Sequence, residues 1–589
     1  MHKALAAVFL VSSLLFGGAH AQTQSATGIQ DLTAVRPRMP CADLTGADIS
    51  DVGAQVRITL AAEEHGSQGK QICEVQGTID PQIHFEARLP IEAWTQRYLQ
   101  LGCGGLCGNL SIRLEHSNGC VPADRGEFAL ASTDMGHSGT GGAWAARDPG
   151  TKADFGYRAV HLTAVAVKEL IKRYYGRLPM FSYFSGCSDG GREALIEAQR
   201  FPQDFNGIAA GAPALNFTVQ NSFYHAWNAR ANTDAQGRVI LTADRLPILH
   251  EAALSACDAL DGLKDGLIGD PRRCNFDPSV TLCKLGQEES KCLTAAQVET
   301  ARKIYRGAYD AQGRSLVIGG PMPGSELSWL GVYVTNTDTD KIPSENMAYD
   351  ATRYLYFQTP LPEGWSIRDL KFDEATLKSF ELRGLYDATD PDLSRFSKNG
   401  GKLLLWHGWS DPHISPRNSI AYLEAVQQRL GREVTSQFAR LFLFPGMYHC
   451  FGGDGPFEFD VLTPLMSWVE RGAAPTELHA VQLELARIPG GGRLSPPDGG
   501  PPTGSPPGLD ARAPTPKVIR SRPVYPYPAV ATYIGRGDPN DSASFQATVP
   551  TYNVKPFQWL GQSFFSSGYA LTCERSTNGL KCAAAGDGN

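Results

Sequence analysis

The chain of 589 residues lacks any long basic run, and its formal net charge of -7 leaves no surplus of cations for a phosphate backbone. Nucleic acid is therefore not an expected partner. Beyond the first 21 residues there is no apolar stretch long enough to cross a bilayer, so no membrane span is predicted. The two-residue spacing typical of paired zinc-binding cysteines is missing, although the chain carries 13 cysteines. No fixed period recurs either, which argues against a solenoid or a propeller.

What is present starts with Lys3, the apolar stretch Ala4 to Phe16, and Ala19-His20-Ala21, a small-x-small pattern that signal peptidase cuts. Cleavage is expected before Gln22, giving an exported, soluble protein that is secreted or periplasmic. All cysteines follow that point, and an oxidising compartment favours disulfides over thiol chemistry. Short spacings suggest Cys257 with Cys274, Cys283 with Cys292, and Cys573 with Cys582, with Cys41 and Cys73 pairing near the start. Cys103, Cys107 and Cys120 are left without assigned partners, and the odd total leaves at least one thiol unpaired in the monomer.

The length exceeds what one simple core needs, so a large insertion or a second domain is expected. Strands are predicted at Val56 to Ala61, His84 to Leu89, Tyr98 to Leu101 and Met180 to Ser185, with helices over Tyr157 to Tyr175 and Arg192 to Arg200. Alternation then stops. Residues 215–390, rich in aromatics and prolines, read as an inserted lid domain between the two parts of an α/β unit, 22–214 and 391–589. Strands resume at Lys402 to Trp406 and Arg440 to Phe444, with helices over Pro416 to Leu430 and Phe457 to Arg471. Residues 489–516, with Gly490-Gly491-Gly492 and three Pro-Pro pairs, read as a spacer without regular structure.

The predicted strand Met180 to Ser185 runs into Gly186-Cys187-Ser188-Asp189-Gly190, and a helix follows. A chain turning that sharply needs small residues two before and two after the turning residue, and the turn exposes a nucleophile at Ser188. A serine needs a base. His449, after the predicted strand ending at Phe444, is free to face it, whereas His407 and His413 lie too close to Asp411 to reach both that acid and a distant serine. Asp411, in Trp406-His407-Gly408-Trp409-Ser410-Asp411, follows a strand and is preferred as the orienting acid over Asp454 in its Gly-rich loop. The order Ser, Asp, His is that of α/β-hydrolases, and the predicted fold class is an α/β-hydrolase fold with a large inserted lid. An oxyanion hole is expected from the N–H of Asp189 and one from Leu101-Gly102-Cys103-Gly104-Gly105, Gly104 being chosen over Gly105. Separately, Asp258, Asp261 and Asp265 crowd one turn; alone this reads as a solvated acidic turn, with a hard cation as the rival.

Taken together, these residues resemble the tannase and feruloyl esterase family of α/β-hydrolases across nearly the whole mature chain. The resemblance rests on Ser188 in Gly-Cys-Ser-x-Gly-Gly, Asp390-Pro391-Asp392-Leu393 leading into Gly400-Gly401-Lys402-Leu403, His407-Gly408-Trp409-Ser410-Asp411, and His449-Cys450. It implies a disulfide between Cys187 and Cys450 beside the serine and histidine. It also implies a structural Ca2+ in the lid, held by Asp258, Asp261 and Asp265 side chains with the carbonyls of Leu263 and Leu267. The activity it implies is hydrolysis of small esters of aromatic acids, feruloyl or galloyl, through an acyl-enzyme, with mono(2-hydroxyethyl) terephthalate as the alternative substrate. Ile414, three residues after the acid, and Trp329 in the aromatic-rich insertion are the expected substrate contacts. A non-catalytic binding module on the same scaffold is the rival of another class; all three triad positions being filled favours the enzyme.

Overall fold

The computed structural model describes residues 28–49, 52–66, 69–484, 517–551, 557–576 and 579–585. The predicted signal peptide and the Pro/Gly-rich segment 489–516 lie outside the described residues.

A nine-stranded sheet organises the chain in the order β1-β2-β3-β5-β4-β6-β7-β8-β9. Its strands are β1 (Val56–His65), β2 (Gln71–Ile79), β3 (Ile83–Pro90), β4 (Arg97–Leu101), β5 (Phe128–Thr133), β6 (Phe181–Cys187), β7 (Gly207–Gly211), β8 (Lys402–Gly408) and β9 (Ala439–Phe444). The first three and β5 pair antiparallel, whereas β5, β4, β6, β7, β8 and β9 run parallel. The parallel part is sealed on both faces, which is why β4 and β7 are buried along their whole length. Chain order reverses at β4, flanked by β5 on one side and β6 on the other. Such a switch point opens a crevice at the carboxyl ends of the strands, the usual place for a ligand in an open α/β sheet.

Helix α1 (Ala159–Tyr175) buries Val160, Ala164, Val167 and Ile171, and stops at Gly176 in the left-handed region (φ 77°). Helix α2 (Asp189–Arg200) starts three residues before the predicted Arg192, directly after the turn at Ser188. Helix α3 (Arg417–Leu430) follows the prediction, whereas α4 (Leu462–Arg471) starts later than Phe457. Glu458–Phe459 instead form a short strand, β10, and the Asp460 carboxylate then accepts the N–H groups of Leu462 and Thr463 at 2.9 and 3.0 Å. Strands β2, β5 and β7 were not predicted, nor were β11 (Leu478–Leu483) and β12 (Val518–Val524), which pair antiparallel on either side of the Pro/Gly-rich segment.

From Ala212 to Gly401 the described chain forms helices and turns and adds no strand to the sheet. This insertion has its own apolar cluster, which includes Leu249, Val298, Ile304, Trp329 and Tyr333. It leaves and re-enters side by side, the Ala388 N–H donating to the Leu215 carbonyl at 2.8 Å. Under the sheet, Arg97 on β4 and Glu470 on α4 form a buried pair at 2.8 Å, and the Tyr183 hydroxyl donates to the same carboxylate at 2.7 Å. Removing one member of such a pair costs about 3–5 kcal/mol, because the other charge is left buried alone.

The five disulfides predicted from spacing or from the resemblance are all formed. Of the three cysteines without assigned partners, Cys103 bonds Cys107, and Cys120 remains a buried thiol.

Candidate active site

Four loops meet at the carboxyl ends of parallel strands of the one sheet. β4 delivers Gly102 to Gly105, β6 delivers Ser188, β8 delivers Asp411 and β9 delivers His449. Ser188 takes φ 65° and ψ -118°, a conformation that costs a non-glycine residue about 1–3 kcal/mol. Three hydrogen bonds hold it there: its N–H donates to Gly211, and its carbonyl accepts from Arg192 and Ala214. Gly186 and Gly190 are required by contact. A Cβ on Gly186 would stand 2.7 Å from the Gly190 carbonyl carbon, and one on Gly190 would stand 2.9 Å from the Cys103 oxygen.

His449 bridges the serine and the acid. Its Nε2 lies 2.8 Å from Ser188 Oγ and its Nδ1 lies 2.6 Å from Asp411 Oδ2. A carboxylate can only accept, so Nδ1 carries the proton and Nε2 is left to accept the serine hydroxyl. Asp411 is fully buried. Its Oδ1 accepts the N–H groups of His413 and Ile414 at 2.8 and 3.0 Å, and its Oδ2 also faces His407 Nε2 at 3.0 Å. Burial opposes its ionisation, but the charge of His449 and the hydrogen bonds from both histidines outweigh that and hold the carboxyl well below its ordinary range. His407 Nε2 meets two acceptors, Asp411 Oδ2 and the Ile414 carbonyl, while Nδ1 faces Ser419 Oγ at 2.8 Å. It therefore braces the acid, a role that sequence reasoning missed. The signal was its place four residues before Asp411.

His413 lies against the His449 ring at 4.8 Å between centroids. Burial and then the charge of His449 push its pKa well below the usual value, and burial takes His225 behind it to about 3. The insertion grips the acid loop as well: Tyr224 donates to the Pro412 carbonyl at 2.9 Å and Ser328 to the Ser410 carbonyl at 2.9 Å. Nothing in the local sequence announces these ties. Asp454, the rejected acid, accepts the Tyr448 hydroxyl at 2.6 Å.

The disulfide Cys187–Cys450 joins the residue before the serine to the residue after the histidine. Cys450 has φ 59°, and its carbonyl accepts from His116 Nε2 at 2.7 Å. Burial lowers the His116 pKa to about 4, so the ring is a neutral donor here. In the β4 loop the Gly102 N–H is committed to the Ser185 carbonyl at 3.0 Å. Asp189 is the first residue of α2, where an N–H has no partner within the helix. Strand pairing of Leu101 with Ser185 brings Gly104 and Asp189 to the same end of the sheet.

Trp329 corrects an expectation. It is 0 % exposed, its ring packs on Tyr305 and Tyr333, and its Nε1 donates to Ser325 Oγ at 2.9 Å. With no open face, it belongs to the core of the insertion and not to a pocket wall. Ile414 is also buried, and its main chain touches both Asp411 and His407.

In the acidic turn, Asp258 Oδ1 and Oδ2 accept the N–H groups of Asp265 and Gly266. Asp265 pairs with Arg522 through Oδ2, while its buried Oδ1 has no partner among the described residues. Burial, and then the charges of Asp265 and Asp258, raise Asp261 to about 6.

The family model described as tannase and feruloyl esterase matches residues 67–548. An uncharacterised esterase of Xanthomonas campestris is 33 % identical over 80 % of this chain and 84 % of its own. The mono(2-hydroxyethyl) terephthalate hydrolase of Piscinibacter sakaiensis is 32 % identical over 81 % of this chain and 85 % of its own. Among solved structures, feruloyl esterase B from Aspergillus oryzae superposes with a TM-score of 0.69 at 27 % identity, covering 84 % of this chain and 96 % of that one.

Asp411→Asn tests the relay. The amide presents an N–H where Oδ2 accepted one, which favours the wrong histidine tautomer, and kcat on an aryl ester is expected to fall by about 10⁴-fold. Stopped-assay kinetics on the folded variant check this, and a loss below tenfold would contradict the assignment of the acid.

Proposed function

The chain belongs to the tannase and feruloyl esterase family and is a carboxylic ester hydrolase, and we propose on that premise that it cleaves esters of phenolic aromatic acids through an acyl-enzyme on Ser188. The observation that carries this reading is the unbroken contact Ser188 Oγ to His449 Nε2, and His449 Nδ1 to Asp411, at 2.8 and 2.6 Å. Ser188 attacks the ester carbonyl as His449 Nε2 takes its proton. The N–H groups of Gly104 and Asp189 donate to the oxyanion, stabilising the charge that develops on the carbonyl oxygen. His449 then protonates the leaving alcohol, and a water activated by the same nitrogen frees the acid. Asp411 stays ionised throughout and stabilises the imidazolium.

The aromatic acyl group follows from what the relatives are named for: feruloyl esters in one, a terephthalate monoester in another. Ile414, beside the acid loop, is assigned to the wall of the acyl pocket. Export to the periplasm or beyond accords with six disulfides, and no described helix is long and apolar enough to cross a membrane.

A structural Ca2+ is assigned to Asp258, Asp261 and Asp265 with the carbonyls of Leu263 and Leu267. The buried, unpartnered Asp265 Oδ1 and the raised Asp261 fit a cation there, and Arg522 beside Asp265 supplies part of the same neutralisation. Bound Ca2+ would stabilise the folded insertion and take no part in ester cleavage.

Two measurements test these readings. kcat/KM is expected to be higher for methyl ferulate or methyl gallate than for a short aliphatic ester, with mono(2-hydroxyethyl) terephthalate as a further arm; preference for the aliphatic ester would overturn the aromatic assignment and leave the esterase standing. Chelation is expected to lower Tm, more at pH 8 than at pH 5. Asp261, raised to about 6, is protonated at the lower pH and binds a cation poorly there. A Tm indifferent to chelator at both values would remove the calcium site.

A further inference from the structure

Glu193 sits on the first turns of α2 and is 0 % exposed. Its Oε1 lies 3.4 Å from the Cys103 nitrogen, which donates to it. Its Oε2 accepts from no donor among the described residues and stands 3.0 Å from where a Cβ on Gly102 would be. Carboxylate oxygens of Glu193 and Asp189 and the sulfurs of Cys103 and Cys107 all lie within 4.8 Å of one another. The sulfurs are joined in a disulfide, so this is not a thiolate metal site.

Two buried acids therefore face each other with one cation at hand. That cation is already committed: Arg192 grips Asp189 through Nε at 2.6 Å and a terminal nitrogen at 3.0 Å, and also donates to the carbonyls of Phe155 and Gly156. The other charged or titratable groups felt here are Glu197, one turn on along α2, and Tyr386 beside Arg192. Neither supplies a positive charge. Burial makes it costly for two carboxyls within 4.8 Å of each other to ionise together. Burial, and then repulsion from Asp189, push the Glu193 carboxyl far above its ordinary range.

We infer that Glu193 is a positioning residue for the ester hydrolysis proposed above: as a neutral acid it donates to Asp189 and accepts the Cys103 N–H, fastening the loop that carries Gly104 to the residue after the nucleophile. The inference rests on the proposed oxyanion hole, whose two donors come from separate segments of chain. A neutral carboxylic acid has one donor and one acceptor end, the polarity that each of the two segments requires. Ionised, it would have no proton for Asp189 and would drive the two halves apart.

Hydrolysis of an aryl ester by wild type, Glu193→Gln and Glu193→Ala, with Ser188→Ala as reference, tests the inference. Glutamine keeps a donor and an acceptor without charge, and its kcat is expected within about threefold of wild type. Alanine is expected to lower kcat by about 10- to 100-fold with KM changed less than about twofold, since the loop serves the transition state and not ground-state binding. Should the alanine variant fail to fold, the infrared difference spectrum of wild type against Glu193→Gln at neutral pH decides, and a protonated-carboxyl stretch lost in the variant is expected. Equal losses in the glutamine and alanine variants, an unchanged kcat in the alanine variant, or absence of that stretch would overturn the role of Glu193. Near wild-type activity in Ser188→Ala would instead overturn the esterase mechanism beneath it.

Discussion

The site depends on keeping one charge, that of Asp411, ionised where water does not reach. A carboxylate buried without partners would take up a proton and lose its ability to fix the histidine. Here both oxygens are served: Oδ1 by two backbone N–H groups of its own loop, Oδ2 by His449 and His407. The loop that supplies those donors is itself fastened from the insertion through Tyr224 and Ser328. The insertion therefore helps to hold the acid in place, in addition to any part it has in covering a substrate.

A second constraint is geometric. Ser188 is held at a positive φ by hydrogen bonds to Gly211, Arg192 and Ala214, and β4, β8 and β9 deliver the remaining loops at the same end of the sheet. The histidine loop is the least supported by the sheet, since it follows the edge strand β9. The disulfide to Cys187 and the hydrogen bond from His116 to Cys450 compensate by tying that loop to the nucleophile turn and to the segment after β4. Under this view the cross-link limits the excursions of the base as well as the entropy of the unfolded chain.

The parts legible in the sequence were those written in contiguous residues. The turn at Ser188, the acid segment ending at Asp411 and the pair His449-Cys450 each carry their signal within a few positions, and short cysteine spacings anticipated three of the bridges, with Cys41–Cys73 anticipated from position near the start. What was illegible depends on partners distant in sequence. Strand β5 reads as Phe-Ala-Leu-Ala-Ser-Thr, too small and apolar to alternate clearly, and becomes a strand by pairing with β3 and β4. Trp329 could equally have lined a pocket or filled a core, because aromatic residues look alike in sequence in either place; packing on Tyr305 and Tyr333 decided it. His407 was set aside as too near Asp411 to act as the base, and that nearness is what lets it brace the acid.

Activation of Ser188 by His449 can be read from covalent labelling with a fluorophosphonate followed by peptide mass spectrometry. A single adduct is expected on the peptide bearing Ser188 in the wild type, none at that site in Ser188→Ala, and a labelling rate reduced by at least about 100-fold in His449→Ala. A folded wild-type protein that is not labelled at Ser188, or one labelled there at the same rate without His449, would contradict it.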